Sequence, residues 1–158
     1  MTTTHAKTGP RQRLRFRSVL PEAYEALNAL DSAASEGLDH RLVDLVALRT
    51  AQLNGCAFCL DMHSKDALHH GDSSERLFML PAWRESPGYT SRERAALALT
   101  EAVTLVSETH VPDEVWDDAA AEFEEHELAS LLAVIISSNA WNRMSIATRL
   151  PAGKYKPE

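Results

Sequence analysis

The chain has 158 residues, of which 44% are hydrophobic and 25% are charged, a composition that indicates one globular domain and excludes global disorder. Its net charge of -7 gives no general affinity for nucleic acid or anionic lipid, so neither is expected as a partner. No apolar stretch reaches the roughly 20 residues that a membrane-spanning helix requires, and the basic N-terminus lacks the apolar core of a signal peptide. We therefore expect a cytoplasmic protein that does not bind membranes.

Residues 1–17 form a basic segment that is predicted to be an N-terminal arm. Gly9-Pro10 disfavours regular structure there, and runs of like charge are usually solvated tails or arms that cross to another subunit. Residues 18–158 are predicted to form the helical domain. The basic residues of the arm are Lys7, Arg11, Arg13, Arg15 and Arg17.

Helical segments follow one another through the first half of the chain. Residues 22–34 are rich in Ala, Leu and Glu and end before Gly37, and Asp39 is a suitable cap for the next helix. Asn54-Gly55 then interrupts the helical pattern. The predicted helices of this half cover residues 22–34, 40–53, 56–70 and 74–80.

The second half contains two long predicted helices. Thr90 and Glu93 have the spacing of a capping box, which introduces a helix to about residue 107. Residues 127–148 form the last helix, and its centre at 131–136 is apolar on nearly every side, as expected in the middle of a fold or in an interface. Strands that alternate with helices are not indicated, so the predicted fold class is all-α. The apolar face of the capped helix consists of Ala96, Leu99, Val103 and Val106.

The two cysteines, Cys56 and Cys59, are the strongest chemical signal in the sequence. A permanent structural disulfide is disfavoured in a reducing cytosol, so their spacing indicates metal binding or redox catalysis. At the start of a helix, the two side chains face the same side and lie close enough to form a disulfide. The helix N-terminus offers a partial positive charge and free amide donors, which stabilise the reactive thiolate.

His63 and Asp44 are predicted to complete a proton relay with Cys59. His63 lies one helical turn after Cys59, so its ring can share a face with that sulfur. If the helices on both sides of Asn54-Gly55 fold back on each other, Asp44 lies roughly 15 Å and His63 roughly 12 Å from the turn, and the two stand about level. The carboxylate would then orient the imidazole, which accepts the proton of the thiol.

A zinc-binding structural module is the alternative interpretation of the cysteine pair. A structural zinc site normally recruits a second cysteine pair or paired histidines elsewhere in the chain, which favours the redox interpretation. The remaining histidines, His70 among them, have no chemically suggestive neighbours in the sequence. The ligands of the alternative site would be Cys56, Cys59, His63 and either Asp44 or His69.

A longer motif surrounds the cysteine pair. It comprises Leu48, Arg49, Gln52, Leu53, Asn54, Gly55, Cys56, Cys59, Asp61, His63, Asp66 and Ala67, with further characteristic segments at 21–24, 82–85, 89–93, 110–112 and 139–143. With these residues the sequence resembles the carboxymuconolactone decarboxylase superfamily, in its alkylhydroperoxidase D (AhpD) branch. The resemblance covers almost everything after about residue 14, and the Cys–Cys–His core with its preceding Asn-Gly is the specific part.

The resemblance implies a single-domain, all-helical AhpD-like subunit that associates into dimers, trimers or hexamers. It also implies an antioxidant activity, in which hydroperoxides are reduced through a disulfide cycle without a bound cofactor or metal. In the family motif, Cys59 holds the position of the peroxide-reactive cysteine. Cys56 would resolve the sulfenic acid and meet the reductant, a thiol or a lipoyl-type electron-donor protein. The family histidine corresponds to His63 and the family acid to Asp44.

Two positions depart from the family pattern. The acid is usually glutamate, and Asp44, one methylene shorter, is expected to reach His63 through a water molecule. The best-characterised peroxidases carry a histidine between the cysteines, where this chain has Phe58. The sibling branch, a carboxymuconolactone-type decarboxylase, is a second alternative. It does not depend on a cysteine pair, so the pair argues against it, although fold alone does not distinguish the two.

Overall fold

The computed structural model describes residues 9–157, so Lys7 and the rest of residues 1–8 of the predicted arm lie outside it. The described residues form α-helices and a short 3-10 helix at Leu80–Ala82, with no β-strand among them, which confirms the all-α prediction. None of these helices combines the length and apolar character of a membrane-spanning helix. The helices are α1 (Phe16–Val19), α2 (Pro21–Ser35), α3 (His40–Asn54), α4 (Ala57–His69), α5 (Ser74–Met79), α6 (Ser91–Thr104), α7 (Val106–Thr109), α8 (Asp113–Glu122) and α9 (Glu125–Thr148).

The centre of α9 lies in the middle of the fold, where it contacts α2, α3 and α6. Leu131, Val134 and Ile135 are almost completely buried there, and they pack in one core with apolar residues of α3 and α6. Ile136, on the opposite side of the helix, is 49% exposed. The apolar segment 131–136 therefore packs mainly within the subunit, as expected for a helix in the middle of the fold.

The predicted capping box starts α6, but this helix ends earlier than predicted. The Thr90 hydroxyl accepts from the Glu93 N–H, and the Glu93 carboxylate accepts from the Thr90 N–H. The helix stops at Thr104 because Leu105 leaves the helical conformation, with φ -99° and ψ 32°. Val106 then begins a separate short helix and is 49% exposed, so its expected place on the buried face of α6 is wrong.

A tight turn joins α3 to α4 and positions the cysteine pair. Asp39 is the N-cap of helix α3, as predicted, and Gly55 is its C-cap, in the left-handed conformation at φ 69° that favours glycine. Helices α3 and α4 consequently pack against each other. The Asn54 side chain donates a hydrogen bond to Asn139 of α9 at 3.0 Å, which ties the turn to the central helix.

The chain after α9 returns across α4. The backbone N–H of Gly153 donates to the Asp61 carboxylate at 2.9 Å, and the Tyr155 hydroxyl donates to the Asp66 carboxylate at 2.7 Å. Lys65 of α4 also donates, to the carbonyl of Tyr155 at 2.9 Å. The C-terminal segment is thus fastened to the helix that carries the cysteine pair and His63.

Candidate functional site

Cys56 and Cys59 lie at the N-terminus of α4, where the sequence predicts them. Cys56 is the N-cap residue, and its sulfur accepts a hydrogen bond from the backbone N–H of Cys59 at 3.3 Å. The two residues are joined by a disulfide, with their Cα atoms 5.3 Å apart, and only 1% and 2% of their surfaces are exposed. The structure thus represents the oxidised pair, a state in which neither sulfur is a thiolate that binds zinc.

A cavity of about 390 Å³ lies beside Cys59, and the His63 side chain forms part of its wall. Its volume falls in the range of small-molecule binding sites. The only carboxylate among its described lining residues is that of Asp31. The aromatic and thioether side chains of the wall belong to Tyr24, Phe58, Met62, Trp141, Met144 and Tyr155.

Burial favours the neutral form of the His63 imidazole. Burial lowers its pKa, and the negative charges of Asp66 and Asp31 oppose this shift less strongly. A neutral imidazole has a free lone pair that accepts a proton. Because His63 and Cys59 line the same cavity, a ligand bound there would meet a sulfur and a base together.

Asp44 is paired with His70, a histidine for which sequence reasoning finds no partner. The Asp44 carboxylate accepts a hydrogen bond from His70 Nδ1 at 2.6 Å. Burial raises the pKa of Asp44, and the hydrogen bond to Asp44 raises the pKa of His70. A carboxylate oxygen of Asp44 also lies within 4.8 Å of a ring nitrogen of His63, but no hydrogen bond joins them within residues 9–157. Helical spacing alone does not specify whether the Asp44 carboxylate reaches His63 or His70, so sequence reasoning misses this pair.

Asp44, His63 and Asp66 offer three potential metal-ligand atoms within 4.8 Å of one another. Both carboxylates already have hydrogen-bond partners, since Asp44 accepts from His70 and Asp66 accepts from Tyr155. Hydrogen bonds within the protein therefore hold the two carboxylates of this cluster. His69, considered above as a zinc ligand, is exposed, and its ring packs against that of His70.

Residues of α2 and α9 that sequence reasoning misses complete the Cys59 cavity. Asp31 accepts a hydrogen bond from the Ser137 hydroxyl at 2.8 Å, which fixes its carboxylate. The rings of Tyr24 and Trp141 meet edge to face, with their centroids 5.0 Å apart. Tyr24 and Trp141 fall within the characteristic segments 21–24 and 139–143, the one signal that could have pointed to them.

A larger cavity of about 580 Å³ lies beside Cys56, and we call it the Cys56 groove. Among its described lining residues the charged side chains are Arg149 and Lys154, both cations. Phe58, at the position where related peroxidases carry a histidine, lines both this groove and the Cys59 cavity. The two sulfurs of the pair thus border different spaces.

Comparison with known proteins places this arrangement in a family. The profile of the carboxymuconolactone decarboxylase family matches residues 21–102. The uncharacterized protein YdfG of Bacillus subtilis is 35% identical over 137 residues, 86% of this chain and 93% of that protein. An Agrobacterium tumefaciens protein of unknown function, with a suggested AhpD role in antioxidant defence, has a solved structure. It is 38% identical and superposes with a TM-score of 0.87 over 92% of this chain and 100% of that one.

The same fold also occurs with another stated activity. The debrominase Bmp8 superposes with a TM-score of 0.75 at 22% identity, over 85% of this chain and 73% of that one. At that identity the likeness concerns the fold alone. The family profile, by contrast, spans the cysteine pair and His63, and the B. subtilis relative is similar over nearly its whole length. The chain therefore belongs to the carboxymuconolactone decarboxylase family, in its AhpD-like branch.

Proposed function

We propose that this protein is an antioxidant thiol oxidoreductase that reduces hydroperoxides through a Cys56–Cys59 dithiol–disulfide cycle. The observation that carries the proposal is the cavity that Cys59 shares with His63. Cys56 adds support, because it lies within bonding distance of Cys59 and forms with it the disulfide that such a cycle yields. The AhpD-like family assignment agrees with this chemistry.

The proposed cycle begins with the reduced pair. His63 accepts the proton of Cys59, and the thiolate attacks the terminal oxygen of the hydroperoxide. The O–O bond breaks, the alkoxide takes the proton from His63 and leaves as an alcohol, and Cys59 becomes a sulfenic acid. The Cys56 thiolate then attacks the Cys59 sulfur, and the departing hydroxide takes up the proton that Cys56 released. Two thiols and a hydroperoxide thus give a disulfide, an alcohol and water.

The aromatic wall of the Cys59 cavity favours an organic hydroperoxide as the substrate. Return to the dithiol requires an electron donor, for which we propose a thiol or a lipoyl-type donor protein that reacts at Cys56. The Asp44 relay stays part of the proposal, with a water molecule between its carboxylate and His63, since the two atoms lie within 4.8 Å of each other.

Association into a homo-oligomer, a dimer, trimer or hexamer, is a further part of the proposal. Large apolar side chains remain exposed on α1, α9 and the residue between α1 and α2, namely Val19 (65%), Leu20 (48%) and Ile136 (49%). Exposed apolar surface of this kind often marks a contact with another chain. A sedimentation mass of a single 17.5 kDa chain at micromolar concentration, with native helicity, would contradict this association.

The test of the activity is to mix the reduced protein with cumene hydroperoxide and follow its mass. Wild-type protein should lose about 2 Da as the disulfide forms, and one alcohol should be released for each disulfide. The Cys56→Ser/Cys59→Ser double variant is the matched control and should neither change mass nor release alcohol. Retention of both thiols in folded wild-type protein after exposure to excess hydroperoxide would overturn the proposal.

The two alternatives give different results. A zinc-binding structural module predicts about one zinc ion per chain in reduced protein purified without chelator, lost in the double variant. A carboxymuconolactone-type decarboxylase predicts lactone turnover that survives loss of both cysteines. The double variant therefore separates the thiol cycle from both alternatives.

A further inference from the structure

The Cys56 groove carries an inference about the electron donor. We propose that this groove receives a small anionic thiol, which reduces the disulfide by attack on Cys56. The inference rests on the proposed redox cycle and narrows the donor to one chemical class. Three observations support the inference: the position of Cys56, the size of the groove and the charges that line it.

The size of the groove fits a small molecule. Its volume of about 580 Å³ lies within the range of small-ligand sites, roughly 300–1,000 Å³. Cys56 is only 1% exposed and lies in the wall of the groove, so a donor sulfur must enter the groove to approach it. A small thiol that enters the groove meets Cys56 in the wall.

The charges of the groove favour an anion. Arg149 and Lys154 are exposed, and neither forms an ion pair with another described residue. A third cation lies near Arg149, because the Arg13 guanidinium donates to the carbonyl of Ala147 at 3.5 Å. The chain as a whole has a net charge of -7, so this positive region is a local reversal. Such a region steers negatively charged ligands toward it.

The backbone holds these cations at the groove. Arg149 caps the C-terminus of α9 with φ 55° and ψ 54°, a left-handed conformation that side chains of this size rarely adopt. The chain reverses there, and the bond from the Gly153 N–H to Asp61 at 2.9 Å anchors the far end of the segment to α4. Arg149 and Lys154 thus lie in a segment beside Cys56 that is held at both ends, by α9 and by the bond to Asp61.

The negative charge in the Cys59 cavity favours attack of the donor on Cys56 and not on Cys59. The Cys59 cavity contains the Asp31 carboxylate and no lysine or arginine among its described lining residues. An anionic thiolate is therefore attracted to Cys56 and repelled from Cys59. It attacks the Cys56 sulfur, the S–S bond breaks, and Cys59 leaves as a thiolate. A second donor thiolate then attacks the donor sulfur of the mixed disulfide, which releases Cys56 and one donor disulfide, so that two electrons are transferred.

The test measures reduction of the preformed disulfide in the absence of peroxide. The probes are 2-mercaptoethanesulfonate, 2-mercaptoethanol and cysteamine, which are anionic, neutral and cationic. Each rate is divided by the rate of the same thiol with bis(2-hydroxyethyl) disulfide, which removes differences in intrinsic reactivity. We expect the anionic thiol to exceed the cationic one by about tenfold at low salt, and the ratio to approach one near 1 M salt.

Single-charge variants locate the effect. Arg149→Gln and Lys154→Gln should each lower the anionic-to-cationic ratio by about threefold. Arg41→Gln, which removes an exposed cation at the far end of α3, should leave the ratio unchanged. Fragmentation of the acid-quenched peptide should place the first donor molecule on Cys56. Equal normalised rates at low salt, an unaltered ratio in both groove variants, or a donor on Cys59 would each overturn the inference.

This experiment is independent of the peroxide reaction. If the protein is oxidised by hydroperoxide but is reduced without charge preference, the proposed function stands and the inference about the donor is wrong. If the protein is inert to hydroperoxide but prefers the anionic thiol, the proposed function is wrong, and the groove is still a selective site for reduction of the disulfide.

Discussion

The two sulfurs of the disulfide border cavities of opposite charge. Cys59 faces an aromatic cavity with the carboxylate of Asp31, whereas Cys56 faces a larger groove with the cations Arg149 and Lys154. The cysteines are only three residues apart, so the difference does not arise from α4 itself. It comes from the segments that pack around it, since α2 supplies the carboxylate and the turn after α9 supplies the cations. A short motif thereby acquires two chemically distinct ends.

The largest expected effect separates the two cysteines. Cys59→Ser should abolish turnover of hydroperoxide, because the base His63 lies in the Cys59 cavity. Cys56→Ser should retain one round of peroxide reduction and accumulate a sulfenic acid on Cys59, since the resolving thiol is gone. Dimedone trapping followed by mass spectrometry measures the difference. A dimedone adduct on Cys56 in the Cys59→Ser protein, formed at the wild-type rate, would reverse the assigned roles.

The next effect concerns the base in the Cys59 cavity. His63→Gln should lower the rate of thiol oxidation roughly a hundred- to ten-thousand-fold near neutral pH, the usual worth of general-base catalysis. The loss should shrink at alkaline pH, where the thiolate forms unaided. In the wild type, burial lowers the pKa of His63, so the base stays neutral and the rate should persist below pH 6.5.

His69→Gln is the matched control for this prediction, because His69 lies on the same helix but is exposed. Its rate should equal that of the wild type across the pH range. If His63→Gln protein is folded and equally fast, the helix N-terminus alone activates Cys59, and His63 has a structural role.

The features that depend on neighbouring residues were predictable from the sequence. Asp39 caps α3 and Thr90 with Glu93 caps α6, because capping requires only residues two or three positions apart. Cys56 and Cys59 lie at a helix start for the same reason, since Gly55 dictates the turn before them. The fold class and the cysteine pair are thus local properties of the chain.

The features that depend on distant segments were not predictable. Asp31 enters the Cys59 cavity from α2, and Lys154 reaches the Cys56 groove from the C-terminal segment. Nothing in their own neighbourhood marks either residue. The pairing of Asp44 with His70 depends on how far one carboxylate reaches between two packed helices, which helical spacing alone does not specify. Charge around the site is therefore a property of the packing.

A smaller effect is expected from removing the negative charge of the Cys59 cavity. Asp31→Asn keeps an acceptor for Ser137 but removes the negative charge of the Cys59 cavity. The rate with a carboxylate-bearing hydroperoxide, relative to cumene hydroperoxide, should rise about fivefold, as expected for removing a repulsion of about 1 kcal/mol. Asp117→Asn, an exposed position on α8, is the control of equal charge change. An unchanged ratio in the Asp31 variant would show that the carboxylate does not influence the choice of substrate.

The smallest effect concerns the hydrogen-bonded pair of Asp44, the carboxylate of the proposed relay, and His70. The folded protein raises the pKa of His70, so the stabilisation by this pair is full below about pH 6.5 and declines as pH rises through the raised value. His70→Gln should therefore lower the free energy of unfolding more at pH 6 than at pH 9. The change should stay below about 1 kcal/mol, because the His70 side chain is 39% exposed.

Urea midpoints at the two pH values measure this difference, with His126→Gln, an exposed histidine elsewhere, as the control. The same variant also tests where Asp44 acts. Without His70, the Asp44 carboxylate is free to turn toward His63, a ring nitrogen of which lies within 4.8 Å. Peroxide reduction by His70→Gln protein should then equal or exceed that of the wild type. A large loss of rate would mean that His70, and not Asp44 alone, takes part in proton transfer on the Cys59 side.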